Sequence, residues 1–143
     1  MRSPFPAVRL GLAVSVGLGL GLSPAVSTAD EPLRIAAKVD CPRVAAPGRV
    51  RCEIEVRARP GLVLKWADAV VSKSPPFATP LRARVGPADA TAHEETVWRW
   101  AIAFAARTRD AGEVVVRVRL VACEKDACTP EELEARGQMT VGE

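Results

Sequence analysis

Residues 50–58 read VRCEIEVRA, and every second side chain there is apolar while each intervening one is charged. Val50, Cys52, Ile54 and Val56 form one set, and Arg51, Glu53, Glu55 and Arg57 the other. A helix advances about 100° per residue and would mix the two sets, whereas a strand sends successive side chains to opposite faces. The stretch therefore demands a half-buried antiparallel strand, with one face on a core and the other in water. The same alternation recurs at 34–41, where Ile35, Ala37, Val39 and Cys41 oppose Arg34, Lys38 and Asp40. It is strongest at 114–123, with Val114, Val116, Val118 and Leu120 inward and Arg117 and Arg119 outward. At 97–107 the side chains of Trp98, Trp100, Ile102 and Phe104 alternate in the same way, so that segment is a strand despite its alanines.

Turn chemistry separates these runs. Pro42, Pro47 and Gly48 lie between the first two, and Pro60-Gly61 opens a third strand in which Leu62, Leu64 and Trp66 share a face. The prolines at 75, 76 and 80 make 72–80 a loop or an extended edge, since proline cannot donate to a ladder. A short strand at 81–85 precedes a polar loop, and Asp110 and Gly112 mark the turn before the strongest strand. Near the end, TPEELEARG (129–137) predicts a short helical turn, with Thr129 as N-cap, Pro130 at the first position, Glu132 completing a capping box and Gly137 as the stop. The last residues, QMTVGE, then close a sheet edge. Six to eight short strands with one such turn predict an all-β, immunoglobulin-like antiparallel β-sandwich spanning 30–143 as a single domain.

Residues 1–29 are set apart from that domain. Arg2 and Arg9 precede an uncharged apolar run, Leu10 to Leu22, followed by Ser23-Pro24 and then Ser27 and Ala29 before the acidic Asp30-Glu31. This is the order of a secretory signal peptide, with cleavage expected after Ala29. The run is shorter than the ~20 residues that span a bilayer, so no membrane association is expected after cleavage. Export to the periplasm or the extracellular space follows. Of the 20 Lys and Arg, two fall in the leader, which leaves 18 against 17 Asp and Glu. The charges are interspersed, so nothing marks a nucleic-acid partner. Oligomeric state has no sequence signal.

Four cysteines, Cys41, Cys52, Cys123 and Cys128, lie in the exported part, where an even number implies disulfides and four allow three connectivities. Cys41 and Cys52 fall on the apolar faces of adjacent strands at similar distances from one turn, which makes Cys41–Cys52 the economical pair. Cys123 and Cys128, in ACEKDAC, are separated by four residues and can bridge a hairpin turn. The spacings are unlike paired zinc knuckles, and the single histidine, His93, cannot complete a metal site or a catalytic triad. No phosphate-binding glycine loop and no cofactor motif is present. Trp98 and Trp100 are expected in the core and His93 in a solvated loop.

The strand running into ACEKDACTPEE resembles the N-terminal periplasmic domain of the thiol:disulfide interchange protein DsbD, an immunoglobulin-like domain in which a strand ends in a cysteine and a short loop leads to a second, with proline following. DEPLRIAAKVD and PGLVLKWADAVVSKSPPF fit its layout more loosely. The resemblance implies that Cys123 and Cys128 are the catalytic redox pair of a thiol–disulfide exchange protein, with a periplasmic thioredoxin-like protein as partner. This chain departs from the family in having no tyrosine to screen the cysteines, in Thr129 standing before Pro130, and in the extra pair Cys41 and Cys52. Two functions remain open: exchange at Cys123/Cys128, or a non-enzymatic binding or structural module with two inert disulfides. A helix starting at Pro130 would favour a thiolate at Cys128.

Overall fold

The computed structural model describes residues 33–143; the leader expected at 1–29 lies outside them. Nine strands follow in chain order: β1 (Ile35–Asp40), β2 (Gly48–Ala58), β3 (Val63–Lys73), β4 (Ala78–Pro80), β5 (Arg84–Val85), β6 (Ala92–His93), β7 (Val97–Ala106), β8 (Asp110–Glu124) and β9 (Ala127–Val141). A short 3-10 turn, Pro87–Asp89, separates β5 from β6. One sheet runs β1-β2-β7-β4 with β6 also on β7, and the other runs β5-β3-β8-β9, all pairs antiparallel. The order β1-β2-β7-β4 against β3-β8-β9 is that of a seven-stranded immunoglobulin sandwich, with two short extra strands, β5 beside β3 and β6 beside β7. The fold is an immunoglobulin-like β-sandwich. No helix among the described residues is long and apolar enough to cross a membrane.

The period-two faces meet in the middle. Val50, Ile54 and Val56 of β2, and Trp98, Trp100, Ile102 and Phe104 of β7, are buried against Val114, Val116, Val118 and Leu120 of β8. Trp100 keeps its indole N–H satisfied by donating to the Gly86 carbonyl at 2.9 Å. The proline-rich segment is an edge, as its prolines require: β4 pairs only with β7, and Phe77 just before it is buried.

Two local expectations fail, each for an identifiable reason. Leu62 and Leu64 are buried, but Trp66 does not share their face and is partly exposed. The β3–β8 register jumps between Leu64↔Ala122 and Trp66↔Val121, so Lys65 is an extra residue. A one-residue bulge inverts the pleat downstream, turning Ala67 and Ala69 into the core and Trp66 and Asp68 outward.

The helical turn expected over 129–137 is instead the middle of β9, paired residue for residue with β8. An eight- or nine-residue helix is marginal alone, whereas β8 offers a fifteen-residue partner with unsatisfied backbone groups. Leu133, Ala135, Met139 and Val141 alternate inward along β9. Gly137 is no helix stop. A Cβ there would stand 2.8 Å from the Val39 carbonyl oxygen, so glycine permits β1 to lie close against β9. Beyond β1, Val44 forms a parallel bridge with Val141, its N–H donating to the Thr140 carbonyl at 3.1 Å.

Candidate functional site

Both disulfides expected from the sequence are formed: Cys41–Cys52 and Cys123–Cys128. Their settings differ. Cys52 is buried in the core and Cys41, half-buried, follows directly after β1, so this bond closes the loop that bridges to β9. Cys123 and Cys128 are directly opposed across the β8–β9 hairpin, with Glu124↔Ala127 paired beyond them. The turn is therefore a two-residue one, Lys125-Asp126, and Lys125 has φ of 54°. That left-handed conformation normally falls to glycine or asparagine.

Alternation settles which way the pair faces. Val118, Leu120 and Ala122 point into the sandwich, so Arg117, Arg119, Val121 and Cys123 point outward, as do Cys128, Pro130, Glu132 and Glu134 on β9. The bond thus lies on the outer face of the second sheet at its hairpin end. Cys128 is exposed while Cys123 is only 3% exposed. In that sheet β9 is the last strand, so the side of Cys128 away from Cys123 faces outward from the ladder, and the corresponding side of Cys123 faces β3. The helix N-terminus expected beside Cys128 is absent, and nothing from it can favour a thiolate there. Glu124 is engaged by Arg59 at 3.7 Å, tying the hairpin tip to the β2–β3 turn.

One pair further along the same face, Trp66, Val121 and Pro130 stand in line across β3, β8 and β9. With Arg119 and Glu132 they line a shallow groove of about 320 Å³. Arg119 lies over the Trp66 ring, 6.0 Å from its centroid, and donates from Nε to Asp68 Oδ1 at 3.0 Å. Its Nη2 also bonds Asp68 Oδ2, which accepts from Arg84 at 2.7 Å as well. Burial pushes the Asp68 carboxyl up, but the hydrogen bonds from Arg119 and Arg84 outweigh it and hold the pKa below the ordinary range. The network fixes Arg119, and through it the wall of the groove. Sequence reading missed this feature because it depends on the bulge at Lys65.

On the other sheet Glu55 plays a similar part, accepting from Arg99 at 2.6 Å and flanked by Arg57 and Lys38. Burial raises it, and Arg99 with the neighbouring cations lowers it further than burial raises it. His93, expected in a solvated loop, is exposed in β6 but lies tilted against Trp98, with ring centroids 3.8 Å apart and planes at 54°. Among the described residues no cluster of His, Cys, Asp or Glu has the arrangement to hold a metal ion.

No family model matches the chain, and no curated protein does. Solved structures with similar chain traces include the bacterial hydrophobin BslA (TM-score 0.37, 9% identity, covering 76% of this chain and 96% of that one). A PapD-like domain of human CEP192 has TM-score 0.32 and 11% identity over 87% of this chain and 99% of its own. A structure of the AAF fimbriae of enteroaggregative Escherichia coli has TM-score 0.31 and 9% identity, over 74% and 99%. At these scores the similarities carry no functional argument.

Proposed function

We propose that this is an exported immunoglobulin-like domain that undergoes thiol–disulfide exchange through Cys123–Cys128, as its resemblance to the DsbD N-terminal domain implies. One observation carries the proposal. The Cys123–Cys128 bond lies outward on a sheet edge with Cys128 exposed, across a hairpin that its own ladder already holds. By the chain-entropy relation a link with a sequence separation of 5 contributes about 2 kcal/mol at most, so opening it leaves the fold intact.

On this reading the exposed Cys128 is the sulfur that is attacked. A thiolate on a dithiol partner, a periplasmic thioredoxin-like protein, attacks the exposed Cys128 Sγ along the S–S axis. The Cys123–Cys128 bond breaks, its electron pair stays on Cys123 Sγ as thiolate, and a mixed disulfide joins Cys128 to the partner. The partner's second thiol then attacks its own sulfur in that mixed disulfide, releasing Cys128 as thiolate. The domain leaves reduced and the partner oxidised, with two electrons transferred.

Glutathione titration with mass spectrometry of the two disulfide peptides tests this. Exchange requires a Cys123–Cys128 potential near ~−200 mV, well above the Cys41–Cys52 bond, whereas structural bonds lie below about −300 mV. The Cys123→Ala variant should accumulate a mixed disulfide through Cys128, and Cys128→Ala, whose remaining thiol is buried, should not. Equal resistance of the two bonds to reduction would reject exchange and leave a binding or structural module with two inert disulfides.

A further inference from the structure

A second concave surface lies on the outer face of the other sheet, on the side of β2 opposite the one that carries Cys52. Ala101 and Ala103 are outward residues of β7 there, both half-buried and too small to fill the space above the strand. Arg51 stands opposite Ala103 and Arg49 opposite Ala105, forming one wall. Leu81 and Arg82, after β4, form the other, and the enclosed groove measures about 450 Å³. Its volume is within the range of roughly 300–1,000 Å³ typical of ligand sites.

Two charges of this groove, Arg49 and Arg51, are not used by the fold. Arg57 and Arg99 on the same face are both tied to Glu55, whereas Arg49 and Arg51 are exposed and make no ion pair among the described residues. Arg82 is held by Asp89, the one acidic side chain of the lining. Leu81 is 59% exposed, one of three large apolar side chains left so among the described residues. The groove thus offers two free guanidinium groups on one side and an apolar side chain on the other.

We propose that this groove binds an extended acidic segment of a partner protein. Arg49 and Arg51 occupy successive same-face positions of a strand and are therefore about 7 Å apart along it. Carboxylates at alternate positions of an extended peptide have the same spacing, and each guanidinium offers a bidentate fork for one of them. A side chain between the carboxylates turns the other way in an extended peptide, and those towards the far wall meet Leu81. A single-stranded nucleic acid fits less well. Trp98 and Trp100 point inward from β7, so among the described residues no aromatic ring of β7 is offered on this face for base stacking.

The test uses the purified protein and a blocked decapeptide of alternating Glu and Val, followed by fluorescence anisotropy and amide chemical shifts. Saturable binding with shifts at Thr91, Ala101 and Ala103 is expected, weakened at least about tenfold in the Arg49→Ser/Arg51→Ser double variant. Both arginines are exposed and unpaired, so the variant should melt with the parent protein. The Arg43→Ser/Arg109→Ser variant, which removes two other exposed charges outside the groove, should bind as the parent does. Absence of saturation, equal binding by the Arg49/Arg51 variant, or equal loss in the Arg43/Arg109 variant would overturn the proposal. So would equally tight binding of a Gln-Val decapeptide or of oligo-dT.

Discussion

Replacing Asp68 by Asn removes one charge from a side chain that is 1% exposed and keeps its shape. In the native protein that carboxylate accepts two hydrogen bonds from Arg119 and one from Arg84. Charge-assisted bonds of this kind contribute about 1.5–3 kcal/mol each, and breaking a fully buried pair costs about 3–5 kcal/mol. Here Arg119 and Arg84 remain 42% and 61% exposed and regain water when released, which lowers the cost. The expected loss is about 2–4 kcal/mol at pH 7, read as a shift in urea midpoint at unchanged slope. The pH dependence gives a second measurement. Because the folded-state pKa is depressed below the ordinary 3.8, the carboxylate's contribution is complete above that value and is lost as pH falls through the folded-state pKa. The gap between parent and Asp68→Asn should therefore be constant from pH 7 to about 5 and close progressively below about 4. A gap below about 1 kcal/mol at pH 7, or one that persists unchanged at low pH, would refute the reasoning.

Other substitutions probe other joints. Gly137→Ala places a Cβ against the Val39 backbone and side chain and should cost about 1–3 kcal/mol in urea unfolding, whereas Gly86→Ala, with open space around it, should be near neutral. Trp100→Phe removes one of the two donors to the Gly86 carbonyl, which keeps the Asp89 N–H, and should lose about 0.5–1.5 kcal/mol plus a packing contribution, seen as a lower thermal midpoint. Removing the Cys41–Cys52 bond by a Cys41→Ala/Cys52→Ala double change should cost about 3 kcal/mol for its separation of 11, against about 2 kcal/mol for the Cys123/Cys128 pair.

The sandwich was legible wherever alternation was uninterrupted. The faces of β2, β7 and β8 and the position of Trp98 and Trp100 follow directly from period two. Both disulfide partners were legible for the same reason, since opposed strand positions bring their sulfurs together. Trp66 was not, because nothing in Leu62-Val63-Leu64-Lys65-Trp66 announces which residue the bulge will leave unpaired; that is decided by β8 across the sheet. At 129–137 two signals competed. Thr129, Pro130 and Glu132 are local helix-start residues, while Leu133, Ala135, Met139 and Val141 already carried the strand period. The local signal lost because β8 extends to Glu124 and supplies a backbone partner to every residue of the segment. The arginine groove was illegible in a different way: Arg49 and Arg51 look like any charged strand face until Leu81 and Arg82 are brought across from β4.

The course of β1 beside β9 has a mechanical consequence. Arg34 meets Glu131, Val39 meets Gly137 and Val44 meets Val141, so the two segments run side by side in the same direction. Tension applied between residues 33 and 143 would slide them past one another, loading these contacts together rather than peeling them one at a time. Cys41–Cys52 anchors the moving segment covalently to β2 midway along this track, so the load passes sideways into the first sheet before the Val44 bridge can slip. Pulled along that axis, the domain should behave as a stiff link up to a single rupture, and reduction of Cys41–Cys52 should lengthen its extension before that rupture.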